Sequence, residues 1–162
     1  MRVLDELWDA ARRDLSDAPR ESLAAWHRPR VLGIPRAPRL VPVGSAWHLG
    51  VLLLGEDEVW ATGDVVRSRE DVRRGFAAES QRSRAEVAAA AFRGGYPEGA
   101  TLHLGWEPID EAPLAAGAPS GPLRLDGDEP VVRWSAGGGW QPLRSYLAER
   151  VALLRDPPAG AS

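Results

Sequence analysis

Residues 40–66 constrain the fold more than any other segment, because their apolar side chains alternate with a period of two. Trp47, Leu49, Val51 and Leu53 share one face of an extended chain. This period is typical of a β-strand whose alternate side chains enter a core. We predict strands at 40–43, 47–54 and 58–66, separated by turns at 44–45 and 55–57.

Apolar residues at helical spacing lie on both sides of these strands. We predict helices at 1–17, 20–27, 68–93 and 142–154, strands at 100–109, 123–125 and 131–134, and an exposed, proline-rich extended segment at 28–39. Strands and helices do not alternate in βαβ order, which argues against a doubly wound parallel sheet. The predicted class is α+β, with a mainly antiparallel sheet of five or six strands, an N-terminal helix, an inserted central helical segment and a C-terminal helix.

The chain has 162 residues, no cysteine and a net charge of −3, and all 20 of its basic residues are arginine. This length predicts a single domain at 1–156, followed by a loose tail at 157–162. Without cysteine or lysine there is no thiol nucleophile, thiolate metal site, Schiff-base lysine or P-loop lysine. Because no secretory signal and no membrane-length apolar run is found, we expect a cytoplasmic protein without a membrane partner.

His48 and Asp64 form the first candidate site. With a three-residue turn at 55–57, His48 lies directly opposite Asp64, although a one-residue shift in register removes the pair. A carboxylate beside an imidazole raises its basicity, so the pair is predicted to be catalytic if the chain is a hydrolase-type enzyme. The alternative is a structural histidine on a half-exposed sheet face. The predicted ligand-binding residues are Trp60, Thr62, His103 and Glu107.

A metal site is a second interpretation of the histidines. His48, His103 and Glu107 offer two nitrogens and an oxygen if their strands are neighbours. Their spacing matches no diagnostic metal motif. We therefore predict neither a metal nor another cofactor.

Arginines cluster at residues 67–93 and along the proline-rich segment, where Arg28, Arg30, Arg36 and Arg39 lie. Guanidinium groups suit phosphate, so anion binding is predicted at Arg73, Arg74, Arg133 and Arg144. The last two flank a glycine-rich loop at 135–139, which is either a phosphate-binding loop or a flexible connector. Acidic residues at helical spacing and the negative net charge favour a solvated helix face over a nucleic-acid site at 67–93.

No motif specifies a reaction, and seven tryptophans are many for this length. The periodicity predicts that Trp8, Trp47 and Trp106 are core residues. An exposed pair among the others would indicate a binding surface. The leading prediction is a non-enzymatic domain that binds a small molecule or another protein chain, a second copy included. The alternatives are the hydrolase at His48 and Asp64 and a nucleic-acid-binding arginine helix, with nucleic acid not expected as a partner.

One stretch carries a family resemblance. It comprises Arg39-Leu40-Val41-Pro42-Val43-Gly44, Trp47, Gly50-Val51-Leu52-Leu53 and Ala61-Thr62-Gly63. This stretch resembles small uncharacterised proteins of high-GC actinobacteria, some of which carry a glutaminase label. The resemblance implies a family without an assigned activity, because the Ser–Lys pair and the cysteine nucleophile of glutaminases are both absent.

Overall fold

The computed structural model describes residues 2–71 and 78–159. The helices in these ranges are α1 (Arg2–Asp14), α2 (Glu79–Arg93), α3 (Glu111–Ala115) and α4 (Leu143–Arg155). The strands are β1 (Glu21–His27), β2 (Arg30–Val31), β3 (Ile34–Pro35), β4 (Arg39–Leu49), β5 (Leu52–Leu54), β6 (Val59–Ala61), β7 (Asp64–Arg67), β8 (Thr101–Leu104), β9 (Glu107–Pro108), β10 (Leu123–Asp126), β11 (Glu129–Arg133) and β12 (Trp140–Pro142). Among the described helices, none combines the length and the apolar composition that a membrane-spanning helix needs.

The largest sheet has seven strands in the order β7-β8-β1-β4-β5-β6-β9. Its pairs are mainly antiparallel, but β1 and β8 run parallel, with Ser22 beside Leu102. Strands β10, β11 and β12 form a separate antiparallel sheet, and β2 and β3 form a two-stranded hairpin. The predicted α+β class with a mainly antiparallel sheet is confirmed. The sheet has more than the five or six strands predicted, and the parallel pair was not foreseen.

The chain divides into two compact units. Unit 1 comprises Met1–Arg20, Ala46–Thr62 and Trp106–Ser162, and unit 2 comprises Glu21–Ser45 and Gly63–Gly105. In unit 1 the amphipathic face of α1 is buried in a cluster that includes Leu147 and Val151 of α4. In unit 2 the alanine face of α2 is buried in a cluster with Leu40 and Leu102. The prediction of one domain over 1–156 stays a prediction.

Residues 20–27, predicted to be a short helix, instead form β1. Its Leu23 lies beside His103 of the parallel strand β8, and Leu23 and Ala24 are buried. Alanine is the best helix former, but helix propensity is a weak preference that tertiary contacts override, and an eight-residue helix gains little stability by itself. Pairing with β8 therefore decides the conformation of this segment.

The strand predicted at 47–54 turns in its middle. Residues on the two sides of Gly50 pair with each other, with Trp47 opposite Leu54, and Gly50 has a φ of +68°. The buried Tyr146 hydroxyl donates a hydrogen bond to the Leu49 carbonyl (2.8 Å) and accepts one from the Val51 N–H (2.9 Å). A side chain far along the chain thus satisfies the polar groups of this turn. The turn predicted at 44–45 is wrong, because β4 continues through it.

The central helical segment predicted at 68–93 is confirmed over α2, and its residues 72–77 lie outside the described residues. Residues 68–71 are not helical, and α2 begins at Glu79. Ser68 is buried and donates a hydrogen bond to the Tyr96 carbonyl. Gly94 ends α2 as predicted. The strand predicted at 100–109 is interrupted at Gly105, which has a φ of +64°.

Candidate functional site

The strand pairing that would join His48 to Asp64 is not formed. His48 lies opposite Leu53, and Asp64 lies opposite Leu104. The predicted register assumed an uninterrupted strand, and the turn at Gly50 removes it. The His48 Nε2 lies 3.0 Å from the Gly50 carbonyl oxygen, so the imidazole also closes this turn. A catalytic role for His48 and Asp64 stays a prediction.

Two of the predicted ligand-binding residues support the same hairpin. The Thr62 hydroxyl donates a hydrogen bond of 2.9 Å to the Gly50 carbonyl. Trp60 is half-buried, and its ring packs so close to Gly55 that a Cβ there would lie 2.7 Å from it. Glu107 is exposed on β9, opposite Ala61. Two of these side chains thus have clear structural roles.

His103 pairs with Glu21, a residue absent from the predicted site. The His103 Nε2 and the Glu21 Oε2 form a hydrogen bond, with the imidazole fully buried and the Glu21 side chain 32% exposed. Leu23 lies beside His103, and Glu21 shares the face of Leu23 because alternate residues of a strand point the same way. A buried imidazole oriented by a carboxylate is the arrangement found in general bases and in metal ligands.

Of the predicted anion-binding arginines, Arg133 lies at the end of β11 and Arg144 lies at the start of α4. Arg73 and Arg74 lie outside the described residues, so their role stays a prediction. Arg93, at the end of α2, pairs with Glu86 at 2.7 Å. The glycine-rich loop at 135–139 joins β11 to β12 within an antiparallel sheet and does not open a helix. It therefore lacks the helix N-terminus that the phosphate-loop interpretation required.

Arg144 lies in an acidic pocket of unit 1. The pocket has a volume of about 420 Å³. Its lining consists of apolar Val3, Leu7 and Pro130, acidic Asp126, Asp128 and Glu129, and Arg144. The acids belong to the β10–β11 hairpin, in which Asp126 pairs with Glu129. Three carboxylates outweigh one guanidinium, so the net charge of this lining attracts cations. Anion binding at Arg144 stays a prediction.

The hairpin of β2 and β3 exposes apolar side chains at its tip. Arg30 lies opposite Pro35 and Val31 lies opposite Ile34, which leaves Leu32 and Gly33 as a two-residue turn. Both turn residues have positive φ, +51° at Leu32 and +78° at Gly33, as in a type I′ turn. The exposed fractions are 96% for Leu32, 62% for Ile34 and 47% for Val31. The predicted extended and exposed segment is thus a hairpin with an aliphatic tip.

Four exposed arginines flank this tip, two on each side. They are Arg28, Arg30, Arg36 and Arg39. None of them forms a salt bridge within the described ranges. Residues 22–55 contain no acidic residue, so this segment carries +4 in a chain whose total is −3, which leaves −7 for the rest. The hairpin is a local positive region of an otherwise acidic chain.

The tryptophans divide into buried and exposed groups. Trp8 and Trp47 are buried as predicted, whereas Trp106 is only half-buried. The exposed members are Trp26 (46%), Trp134 (47%) and Trp140 (37%). Trp26 lies on β1, close in sequence to the basic hairpin, so an aromatic side chain adds to the apolar surface of unit 2.

Comparisons with known proteins give no assignment. No protein-family model matches the chain, and no similarity to a curated protein or to a solved structure was found. The resemblance to actinobacterial proteins stays a prediction, and the function has to be inferred from the chain's own residues.

Proposed function

We propose that this chain is a non-enzymatic protein-interaction domain, and that it docks through the β2–β3 hairpin onto an acidic and partly apolar protein surface. The observation that carries this proposal is Leu32, which is 96% exposed at a φ of +51°. A left-handed backbone costs a residue with a Cβ about 1–2 kcal/mol. Asn-Gly is the usual solution for such a turn. Leucine at this position therefore destabilises the isolated chain. Its exposed aliphatic side chain is suited to enter a pocket on a partner.

The arginines beside the tip specify the charge of that partner. Four guanidinium groups without a nearby acid in the sequence favour an acidic surface and speed association with it. A protein surface suits this hairpin better than nucleic acid, because nucleic-acid sites place aromatic rings between the basic groups and this tip is aliphatic. The charge of −7 outside residues 22–55 also repels nucleic acid and anionic membranes.

Peptide display tests the proposal, because a random library samples partner surfaces of every composition. The library is selected on the full chain and on the Leu32→Asn variant. We expect enriched peptides that combine Asp or Glu with aliphatic residues, and we expect the variant to bind them at least about tenfold more weakly. The Leu32→Asn variant should unfold at a denaturant concentration equal to or higher than that of the wild-type chain. Asn adopts the left-handed conformation more readily than Leu, so the variant's free energy of unfolding should rise by up to about 1 kcal/mol.

Leu153→Asn is the matched control, since Leu153 is another exposed leucine, at 41%, and lies on α4. This control should bind the selected peptides like the wild-type chain. Peptides that do not distinguish Leu32→Asn from the wild-type chain would refute the proposal. The proposal would also be overturned if no peptide is selected and the wild-type chain instead binds random-sequence duplex DNA or phosphatidylserine vesicles in a way that Leu32→Asn abolishes.

The Glu21–His103 pair supports a second candidate function, the binding of a divalent transition metal. Each residue offers one ligand atom, an imidazole nitrogen and a carboxylate oxygen. Zinc and nickel accept this donor set. The hydrogen bond between the two side chains already holds the atoms close together.

Calorimetric titration with Zn²⁺ and Ni²⁺ tests this candidate. We expect stoichiometric binding to the wild-type chain and at least about tenfold weaker binding to His103→Gln and to Glu21→Gln. His27→Gln, at an exposed histidine of the same strand as Glu21, is the control and should bind normally. His48→Gln tests whether His48, which the sequence also offered as a metal ligand, takes part in binding. Absence of binding to the wild-type chain, or equal binding by all variants, would exclude the metal site.

A further inference from the structure

We infer that the hairpin's partner is a second copy of this chain, whose acidic pocket in unit 1 receives the tip. This inference rests on the proposed docking role of the β2–β3 hairpin. The chain itself contains an acidic, partly apolar surface of the kind that the hairpin requires. Two copies of the chain therefore supply both halves of the contact, the hairpin from one copy and the pocket from the other.

The apolar parts of the two surfaces match in kind. The hairpin presents Leu32 and Ile34 at its tip, with Val31 beside them. The apolar lining of the pocket of about 420 Å³ consists of the exposed Val3 and of Leu7 and Pro130, which are buried. Val3 is 44% exposed, so the pocket leaves apolar area that a docked tip would cover. Removal of both apolar surfaces from water favours association.

The charged parts are complementary as well. The pocket carries three carboxylates, Asp126, Asp128 and Glu129, against the single guanidinium of Arg144. The hairpin carries four arginines and no acid. Guanidinium groups bind carboxylates in a bidentate geometry, which gives such a contact direction as well as attraction. Charge complementarity of this kind raises the association rate and weakens as salt increases.

Each copy offers both a tip and a pocket. Two copies that exchange their hairpins reciprocally form a closed two-fold dimer, and copies joined tip to pocket in one direction form rings or open chains. A variant that lacks either the tip or the pocket can form neither assembly by itself.

Two loss variants and their mixture test this inference by sedimentation velocity at low and high salt. Leu32→Asn removes the tip and keeps the pocket. The triple variant Asp126→Asn, Asp128→Asn, Glu129→Gln removes the negative charges of the pocket and keeps the tip. If the triple variant fails to fold, Glu129→Gln alone takes its place. Glu149→Gln, at an exposed acid on α4, is the control and should associate like the wild-type chain.

We expect the wild-type chain to form dimers or larger species at low salt, and each loss variant to associate at least about tenfold more weakly. An equal mixture of the two loss variants should form dimers and nothing larger, because only one tip and one pocket remain functional in each pair. A wild-type chain that stays monomeric, or a mixture that stays monomeric, would overturn the inference. If the selected peptides still distinguish Leu32→Asn in that case, the docking function stands and only the second copy is excluded; if they do not, both fail.

Discussion

Trp8→Ala is expected to lower the free energy of unfolding by about 3–5 kcal/mol. Trp8 is 5% exposed on the apolar face of α1 and belongs to the cluster that contains Leu147 of α4. Its removal leaves a large cavity and exposes apolar surface in both helices. Urea denaturation followed by circular dichroism measures the loss.

Trp26→Ala is the matched control, because Trp26 is 46% exposed. This second substitution should change the free energy of unfolding by less than about 1 kcal/mol. A loss at position 8 as small as the loss at position 26 would show that α1 does not pack as described.

Gly94→Ala is expected to destabilise the chain by about 3 kcal/mol or more. A Cβ at this position would lie 1.6 Å from the Leu40 carbonyl oxygen. The contact is with backbone, so no change of side-chain rotamer relieves it. Gly94 has a φ of −77°, which alanine adopts without strain. The expected destabilisation therefore comes from the steric contact alone. The close approach of α2 to β4 in unit 2 depends on this glycine.

Gly95→Ala separates this steric effect from backbone strain. Gly95 has a φ of +98°, and a Cβ there would have no atom within 4 Å. Its substitution should cost only about 1–2 kcal/mol, from the left-handed conformation. Thermal and urea denaturation of both variants give the comparison. Equal losses at the two positions would contradict the close contact between Gly94 and Leu40.

The parts of the fold that local patterns determine could be predicted from the sequence. The heptad-like spacing in α1 and the Pro142 that precedes α4 locate both helices. The Asp126-Gly127 pair locates the β10–β11 hairpin, because glycine adopts the positive φ that the turn needs. Each of these signals lies within the element that it predicts.

The errors arise where distant residues decide the conformation. β1 is a strand because β8 pairs with it, and nothing within residues 20–27 indicates this. The turn at Gly50 depends on the Tyr146 hydroxyl, nearly a hundred positions later in the chain. The predicted register of His48 was wrong for that reason. Glu21 was missed because its contact with His103 becomes apparent only when β1 and β8 are aligned.

Only some features of the candidate docking hairpin could be predicted from the sequence. The prolines of residues 28–39 predicted an extended, exposed segment, and the four arginines were evident. The turn itself was missed, because Leu32-Gly33 is not one of the residue pairs that usually form a type I′ turn. The position that departs from the turn rule is the one that carries the proposed function, as is common where function overrides local preference.

Disulfide trapping tests the contact between hairpin and pocket most directly, because the chain has no cysteine of its own. One copy carries Leu32→Cys at the hairpin tip, and the other carries Val3→Cys in the pocket. We predict that mild oxidation of the mixture produces the mixed dimer faster than either variant alone produces its own dimer, and that high salt slows formation of the mixed dimer. Mixed dimers that form no faster than the two homodimers, or at a rate unaffected by salt, would contradict insertion of the hairpin into the acidic pocket of a second copy.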